Sequence, residues 1–507
     1  MSRPLDASPV PTGWGTLRLL NRYHWFVFTV AALGWLADCM DQQLFNLGRV
    51  SAVRELLISE MGLAQSLKDG TATKEQTDRL DVGVKNWASW STSIFLMGWA
   101  TGGIFFGVMG DRWGRVKTML LTILLYSLFT GLSALSVGVL DFAFYRFLTG
   151  LGVGGEFAVG VALLAEVMPA PARPFTLGLL QAFSAFGNVT AALLFMLGGY
   201  LQSQGFFEGK SLFGFPLTPW RVLFVVGTLP ALLALLVRRN LDEPEAWKRQ
   251  VADGSIRKAG SYREMLGKEP WRTRALAGLA LAFSGVVGLW AISFFSIDLQ
   301  RYIFDKSLTA QGLTGKELAG AKEYYAGVTS LVLQLGAFCG MFAFSTITPY
   351  LGRKLTFVLF LLLAAGTTAL VFLQLNTVSD ILWMVPLMGF CQLALFGGYA
   401  IYFPELFPTR LRSTGTSFCY NVGRFIAAAG PPMLSYLATV TFVGFKTEAQ
   451  PELHFRYAGL AMCSVYAIGL IALWFLPETN GKPLPESDTP LDVAPTNFRI
   501  VASGVTR

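Results

Sequence analysis

The residues best suited to chemistry are two aspartates in an otherwise apolar segment near the start of the chain. Asp38 and Asp41 are three residues apart, and Gln42 and Asn46 continue the same polar stripe at helical spacing. Two carboxylates one turn apart in a medium of low dielectric constant disfavour double ionisation. We therefore expect Asp38 and Asp41 to take up and release a proton. The alternative is a single structural aspartate paired with an arginine.

Two arginines also lie inside apolar segments. A charge there is costly, so Arg146 and Arg424 should each line a polar cavity or pair with an acid. Because a planar guanidinium binds a carboxylate through two hydrogen bonds, both are predicted to contact an anionic substrate. Arg146 is also predicted as the counter-ion of the aspartates, and packing is the alternative for Arg424. Glu156, ten residues after Arg146, is assigned to helix packing near the cytoplasmic end.

Gln42 and Asn46 of the polar stripe are also predicted to contact the substrate. Four further side chains are candidates for lining a substrate pocket, with ordinary helix packing as the alternative for each. They are Trp290, Gln392, Tyr399 and Tyr402.

Enzyme chemistry finds no support in the sequence. The five cysteines are scattered through apolar stretches without metal-ligand spacing, and there are only two histidines. A formal G-x-G-x-x-G at 150–155 follows no strand, so it fails the context test for a dinucleotide loop. We predict no metal, no cofactor and no enzyme activity.

Composition places these residues in a membrane. Of 507 residues, 53% are hydrophobic and 14% are charged, whereas soluble domains carry about 25% charged residues. Crossing the hydrocarbon as a helix takes about 20 mostly apolar residues. The sequence predicts an all-α integral membrane protein with twelve such segments. They are 25–47, 84–107, 118–138, 142–165, 175–198, 220–237, 275–298, 324–346, 354–374, 381–403, 414–437 and 456–476.

Charge placement predicts the orientation. With the N-terminus inside, and with residues at the helix ends counted with the adjoining side, the cytoplasmic side holds 24 of the 40 Lys and Arg and the outside holds 14. Only Arg146 and Arg424 lie deep within predicted helices. This bias follows the positive-inside rule, so the net charge of +8 indicates orientation and not nucleic-acid binding. We expect a multi-pass protein of the inner or plasma membrane with both termini in the cytoplasm.

The chain repeats itself, which predicts two pseudo-symmetric bundles of six helices. Glu166 and Arg173 recur as Glu405 and Arg412 at an offset of 239 residues. Two six-helix halves joined by a basic linker are the architecture of a large class of secondary transporters, whose substrates bind between the two halves. The predicted segments are a cytoplasmic 1–24, a bundle at 25–237 with an external loop at 48–83, a cytoplasmic linker at 238–274, a bundle at 275–476 and a cytoplasmic tail at 477–507.

The loop after the second predicted helix has the composition of a latch between helix ends. Gly107 begins it, and Gly114 permits a tight turn, while Asp111, Arg112 and Arg115 can form charge-assisted hydrogen bonds. Such a latch would hold one conformation and break in the other. A degenerate copy of this loop follows the eighth helix at an offset of 238 residues. It has Pro349 and Tyr350 at the positions of Asp111 and Arg112.

These motifs together resemble the major facilitator superfamily, over about residues 25–486. The latch loop is similar to its signature loop. Glu243, which Pro244 follows after the sixth helix, and Glu478, which follows Pro477 after the twelfth, match paired cytoplasmic signatures of its sugar-porter branch. The Asp-x-x-Asp pattern is similar to the first-helix motif of aromatic-acid and metabolite:proton symporters. The resemblance implies that Glu166, Arg173, Glu243, Glu405, Arg412 and Glu478 belong to the conformational latch.

The expected function is proton-coupled symport of a small organic or aromatic acid by alternating access, performed by a monomer in the lipid bilayer. A sugar or polyol porter is the alternative within transporters, although the seventh helix lacks the Gln-Gln pair that sugar porters use. A solute receptor with a transporter fold is the alternative of another class. Its usual long output domain is missing after Pro477.

Overall fold

The structure is a computed structural model that is almost entirely helical. Helix occupies most of the described part of every predicted membrane segment. The described residues are 13–212, 214–254, 256, 259–289, 294–313, 315–427, 436–445 and 452–485. Eight helices within them are long and apolar enough to cross a membrane. They are Lys74–Trp113, Arg115–Ser133, Val139–Val167, Arg173–Gln202, Val328–Leu351, Arg353–Gln374, Val378–Leu406 and Leu453–Phe475.

The N-terminal half follows a 3₁₀ turn at Gly13–Leu19. Its α-helices are α1 (Arg22–Glu60), α2 (Ala64–Lys68), α3 (Lys74–Trp113), α4 (Arg115–Ser133), α5 (Val139–Val167), α6 (Arg173–Ser203), α7 (Pro219–Val226) and α8 (Ala231–Asn240). A short antiparallel hairpin, β1 (Ser211–Leu212) with β2 (Phe215–Pro216), precedes α7.

The linker and the C-terminal half continue the same pattern. The linker carries α9 (Glu245–Ala252) and α10 (Tyr262–Gly267). The C-terminal half contains α11 (Trp271–Val287), α12 (Phe294–Ala310), α13 (Gly315–Leu351), α14 (Arg353–Gln374), α15 (Val378–Leu406), α16 (Arg412–Ala427), α17 (Leu453–Met462) and α18 (Val465–Phe475).

The stretch expected as an external loop at 48–83 is largely helical. Helix α1 continues to Glu60 and α3 begins at Lys74, where Thr73 and Gln76 form a reciprocal capping box. The two extensions pack through buried apolar residues such as Val53 and Leu80. Charged residues on the opposite face lower the average hydropathy, and for this reason the segment did not resemble a buried helix in sequence.

Close glycine contacts repeat in both halves. A Cβ atom on Gly102 of α3 would collide with the carbonyl oxygen of Leu151 in α5. The same contact recurs 238 residues later, where a Cβ on Gly340 of α13 would collide with the carbonyl oxygen of Phe390 in α15. Small residues let membrane helices approach this closely. The repeat seen in sequence is therefore a repeat of helix packing.

The two halves meet along two helix pairs. Helix α3 packs against α16, and α6 packs against α13. Helix α5 also packs against α16, so side chains of α3 and α5 face the C-terminal half there. Asp38 and Arg424 lie beside this interface, and Asp111, Glu166 and Arg412 lie at one end of it. The other candidates are described with the site below.

Candidate functional site

Asp41 and Arg146 lie together inside the N-terminal half, as the sequence predicts. Both side chains are fully buried, and Asp41 Oδ2 lies 3.9 Å from Arg146 Nη1. Arg146 also donates to Ser133 Oγ from Nη2 at 2.6 Å and from Nε at 3.0 Å. The guanidinium group stands 4.7 Å from the ring centroid of Phe224. A loose ion pair of this kind can be broken by one proton on the carboxylate.

The surroundings of Arg146 do not favour direct contact with substrate. Its ion-pair, hydrogen-bond and ring partners among the described residues all belong to the N-terminal half, in α1, α4, α5 and α7. The sequence suggested that Arg146 and Arg424 flank one central site. The structure instead places only Arg424 at the interface between the halves.

Arg424 is the centre of an aromatic group that spans the two halves. Its guanidinium carbon lies 4.2 Å from the ring centroid of Trp99 in α3 and 4.5 Å from that of Tyr420 in α16. The ring centroid of Phe157 in α5 lies 4.3 Å from those of Tyr420 and of Trp35 in α1, with the ring planes tilted. We call Trp35, Trp99, Phe157, Tyr420 and Arg424 the interface cluster. Such a group of rings and one guanidinium suits a planar carboxylate.

Asp38 is buried beside the interface cluster. It is 1% exposed, and within the described part of the chain neither carboxylate oxygen has a hydrogen-bond partner. The charged neighbours of Asp38 are Glu156, Asp41 and Arg424. Glu156 was expected to serve helix packing near the cytoplasmic end. The structure places its carboxyl against Gly34 of α1, one turn before Asp38.

The remaining pocket candidates take other places. Gln42 and Asn46 are half-buried on α1, and Asn46 bonds with Gln43 and Arg49 along the helix. Trp290 lies outside the described residues.

Three candidates in α15 are engaged inside the C-terminal half. Gln392 donates to Thr368 at 2.6 Å, the Tyr399 hydroxyl to the Leu281 carbonyl at 2.9 Å, and the Tyr402 hydroxyl to the Pro477 carbonyl at 2.5 Å. All three side chains are buried in that half. The structure therefore gives Gln392, Tyr399 and Tyr402 packing roles, and we leave them out of the proposed site.

Asp111 links the two halves at the end of the interface. It accepts hydrogen bonds from the backbone N–H groups of Ser413 at 3.0 Å and Thr414 at 2.9 Å, and from the Thr414 hydroxyl at 2.6 Å. These donors lie at the beginning of α16, where a carboxylate is favoured by the helix dipole. Gly107, one turn earlier, contacts Ser417 and accepts from Thr414 at 3.4 Å.

Glu166 completes the link. Its Oε1 accepts from Arg115 of the same half at 3.0 Å and from Arg412 of the other half at 2.6 Å. Arg115 also donates to the Thr409 carbonyl at 2.6 Å across the interface. We call this end of the molecule, defined by Asp111, Arg115, Glu166 and Arg412, the latch end. In this structure the halves are joined there.

Two glutamates cap equivalent helices at the latch end. Glu243 accepts from the first N–H groups of α4, with Arg115 N at 2.7 Å, and Glu478 does the same for α14, with Arg353 N at 2.9 Å. Each helix follows a glycine with positive φ, Gly114 at 115° and Gly352 at 85°. A Cβ there would meet the capping carboxylate, so the turn and the cap require each other.

The two caps differ in their electrostatics. Burial raises the pKa of Glu243 above its ordinary value, although three backbone N–H groups oppose this. Burial acts in the same direction on Glu478, but there four backbone N–H donors prevail and hold the pKa below its ordinary value. On acidification, Glu243 therefore takes up a proton before Glu478 does.

The other predicted latch residues stay within one half or bind the linker. Arg353 pairs with Glu405 at 2.9 Å inside the C-terminal half. Among the described residues, the degenerate copy of the latch loop at 349–354 therefore forms no ion pair across the interface. Arg112 donates to the Ala259 carbonyl of the linker at 2.9 Å. Arg173 was expected to join the charged latch, but it donates to the Ala165 carbonyl at 2.7 Å and closes the end of α5.

A family model agrees with this architecture. The model described as Major Facilitator Superfamily matches residues 62–431. The chain belongs to that superfamily. It is a multi-pass membrane transporter with the twelve-helix architecture, and the predictions of family and fold are confirmed.

Relatives and solved structures are transporters as well. The chain is 29% identical to the cis,cis-muconate transport protein of Acinetobacter baylyi over 77% of this chain and 85% of that one. It is 25% identical to the niacin transporter NiaP of the same organism over 92% of this chain and 96% of the relative. The solved proton:xylose symporter XylE shares the fold, with a TM-score of 0.65, 18% identity and coverage of 93% of this chain and 98% of that one. The transporter is therefore not an enzyme, as the sequence predicted.

Sequence reasoning missed the aromatic members of the interface cluster. Trp35, Trp99 and Phe157 come from three helices, and no spacing within one segment relates them. The one available signal was the density of aromatic residues near Asp38 and Arg424. That signal does not distinguish a binding site from ordinary helix packing.

Proposed function

We propose that this transporter carries a small planar organic acid into the cell together with protons, by alternating access between the bundles at 25–237 and 275–476. It would act as a monomer in the plasma membrane with both termini cytoplasmic. The observation that carries this proposal is the placement of Arg424 among aromatic rings at the interface between the halves.

The substrate class follows from the chemistry of the interface cluster. Arg424 would bind the carboxylate, since its Nε is buried and has no hydrogen-bond partner among the described residues. The rings of Trp35 and Phe157 would stack on a conjugated or aromatic body. Two relatives named for cis,cis-muconate and for niacin give independent support, because both compounds are small conjugated acids.

Proton coupling is assigned to Asp41 with Arg146 as its counter-ion, and to Asp38 as a second carboxyl. A buried carboxylate without a hydrogen-bond donor is costly as an anion, and a proton removes that cost. Protonation of Asp41 would also break its 3.9 Å contact with Arg146. The N-terminal half would then contain the Asp41–Arg146 contact when Asp41 is ionised and lack it when Asp41 is protonated.

The latch end supplies the conformational switch. Asp111 and Arg412 join the halves through bonds that must break when the cytoplasmic side opens. Alternating access needs such a bistable contact, because a ligand can shift only an equilibrium that already exists.

Uptake into proteoliposomes tests the proposal. Labelled cis,cis-muconate, nicotinate and benzoate are offered with and without an inward proton gradient, beside labelled xylose as the sugar. We expect at least one acid to accumulate only with the gradient, and Arg424→Lys to weaken uptake because an ammonium cannot bind a carboxylate through two parallel bonds. Equal uptake with and without the gradient would exclude proton coupling.

A sugar porter is the second candidate, because the sequence around Glu243 and Glu478 resembles the cytoplasmic signatures of that branch. The fold is also shared with XylE. At 18% identity that likeness concerns the fold alone. The same experiment separates the two candidates. Accumulation of xylose, with no response to any acid, would favour the sugar porter and reject the acid site.

A further inference from the structure

We propose that Glu156 and Asp38 form a second proton-binding pair, which faces Arg424 across the interface and is separate from the Asp41–Arg146 pair. This inference rests on the proposed symport of an acid. It adds Glu156 to the coupling residues, and it assigns Asp38 to a different partner from Asp41.

The geometry brings Glu156 to Asp38 through a glycine. Gly34 precedes Asp38 by four residues and so lies on the same face of α1, one turn earlier. A Cβ atom on Gly34 would lie 2.5 Å from Glu156 Oε1 of α5. The absence of a side chain at Gly34 is therefore what lets the carboxyl of Glu156 reach this face. Glu156 is also one of the charges close enough to Asp38 to interact with it.

Both carboxyl groups are buried and poorly satisfied. Asp38 and Glu156 are each 1% exposed. Both oxygens of Asp38 and Oε2 of Glu156 have no hydrogen-bond partner among the described residues, and neither does the Tyr126 hydroxyl beside them. An isolated pair of anions in such a place is very costly. One shared proton would supply a donor between the two carboxyls and reduce the charge of the pair from −2 to −1.

The charged and titratable neighbours come from four helices. Glu156 lies in α5, Tyr126 in α4, and Asp41 and Cys39 in α1, while Arg424 in α16 is the cation that acts on Asp38. Arg424 belongs to the other half. The pair therefore attracts a residue across the surface that separates when the transporter changes conformation.

A consequence for coupling follows from that position. The doubly charged pair holds Arg424, and the singly protonated pair holds it less strongly. Protonation would free Arg424 to bind the substrate carboxylate, so proton and acid bind together. The Asp41–Arg146 pair lies inside one half and cannot act on Arg424 in this way.

The test counts the protons that binding takes up. Binding of cis,cis-muconate and nicotinate to purified protein is measured by calorimetry in buffers of different ionisation enthalpy. Relative to wild type, Glu156→Gln is expected to lower proton uptake by about one proton per acid bound and to flatten the pH dependence of the dissociation constant. Asp38→Asn should do the same, and the double variant should add little, because both act on one shared proton.

The controls separate this inference from the proposed function. Tyr126→Phe keeps both carboxyls and should keep the proton count, and Asp41→Asn should lower the count independently of Glu156→Gln. Unchanged proton uptake in both Glu156→Gln and Asp38→Asn would overturn the inference while leaving symport intact. Failure of wild type to bind any acid would instead reject the proposed function. If Glu156→Gln does not fold, Asp38→Asn and Glu156→Asp decide the matter.

Discussion

Removing the charge of Asp111 should open the latch end. In the structure this carboxylate accepts three hydrogen bonds from the start of α16, which belongs to the other half. Asp111→Asn keeps the shape of the side chain. It replaces a charged acceptor by one neutral acceptor and an NH₂ group that faces N–H donors.

The size of the effect follows from those three bonds. A hydrogen bond to a charged group contributes about 1 kcal/mol more than one between neutral groups, so the loss is about 3 kcal/mol. The amide is less costly to bury than the carboxylate, and we take about 1 kcal/mol for that. The remaining loss of about 2 kcal/mol changes the ratio of closed to open forms by about 30-fold. A closed population of about 99% would fall to about 77%.

The assay measures the distance between the halves. Spin labels are placed at Trp113→Cys and Leu351→Cys, which lie at pseudo-equivalent ends of α3 and α13 and are 60% and 45% exposed. The exposed Cys339 is replaced by serine in every variant. Pulsed electron resonance should give one dominant distance in wild type and a second, longer distance in Asp111→Asn.

A matched control makes the result decisive. Asp380 also accepts backbone N–H groups at the start of a helix, with Thr377 N at 2.8 Å, but its partners lie within one half. Asp380→Asn should therefore leave the distance distribution unchanged. An unchanged distribution in Asp111→Asn would refute the assignment of Asp111 as the latch between the halves.

Three further predictions concern the caps, the glycine contacts and the substrate arginine. Glu478→Gln should lower the free energy of unfolding by about 1 kcal/mol at pH 7. The pKa of Glu478 in the folded state lies below 4.5, so this loss of stability should vanish as the pH falls through that folded-state pKa. The pKa of Glu243 in the folded state lies above 4.5, so the loss of stability in Glu243→Gln should grow as the pH falls towards 4.5. The same pH dependence for both would contradict the pKa assignment. Gly102→Ala should lower the free energy of unfolding by about 1–3 kcal/mol, because the new Cβ would meet the backbone of α5. Gly366→Ala is the control and should be neutral or stabilising, because a Cβ there meets nothing within 4 Å. Equal effects of the two substitutions would contradict the close packing at Gly102. Arg424→Lys should weaken binding of nicotinate about tenfold or more in a titration at pH 6, and unchanged affinity would remove Arg424 from the substrate site.

Much of the fold could be predicted from hydropathy and charge placement. Long apolar runs need helices because a bilayer offers no partner for backbone N–H and C=O groups, and the recurrence of Glu166 as Glu405 indicated two related halves. The length of α1 could not be predicted in this way. Its outer part buries only one face, so its average hydropathy falls although the helix continues to Glu60.

The site was predictable only in part. Asp38, Asp41, Arg146 and Arg424 were identified because a charge in an apolar segment is unusual whatever surrounds it. Their pairing depends on contacts between helices that are far apart in sequence. Spacing within a helix therefore paired Asp38 with Asp41, and it could not show that Glu156 of α5 lies against the same face of α1.

Proton movement on addition of substrate tests the central claim most directly. Proteoliposomes are prepared without any imposed gradient, and a pH-sensitive dye in a weakly buffered medium records protons as nicotinate or cis,cis-muconate is added. Proton-coupled acid symport predicts a substrate-dependent rise of external pH. Asp41→Asn should reduce this rise, while the variant still exchanges labelled acid. Entry of labelled acid with no change of external pH would contradict the account.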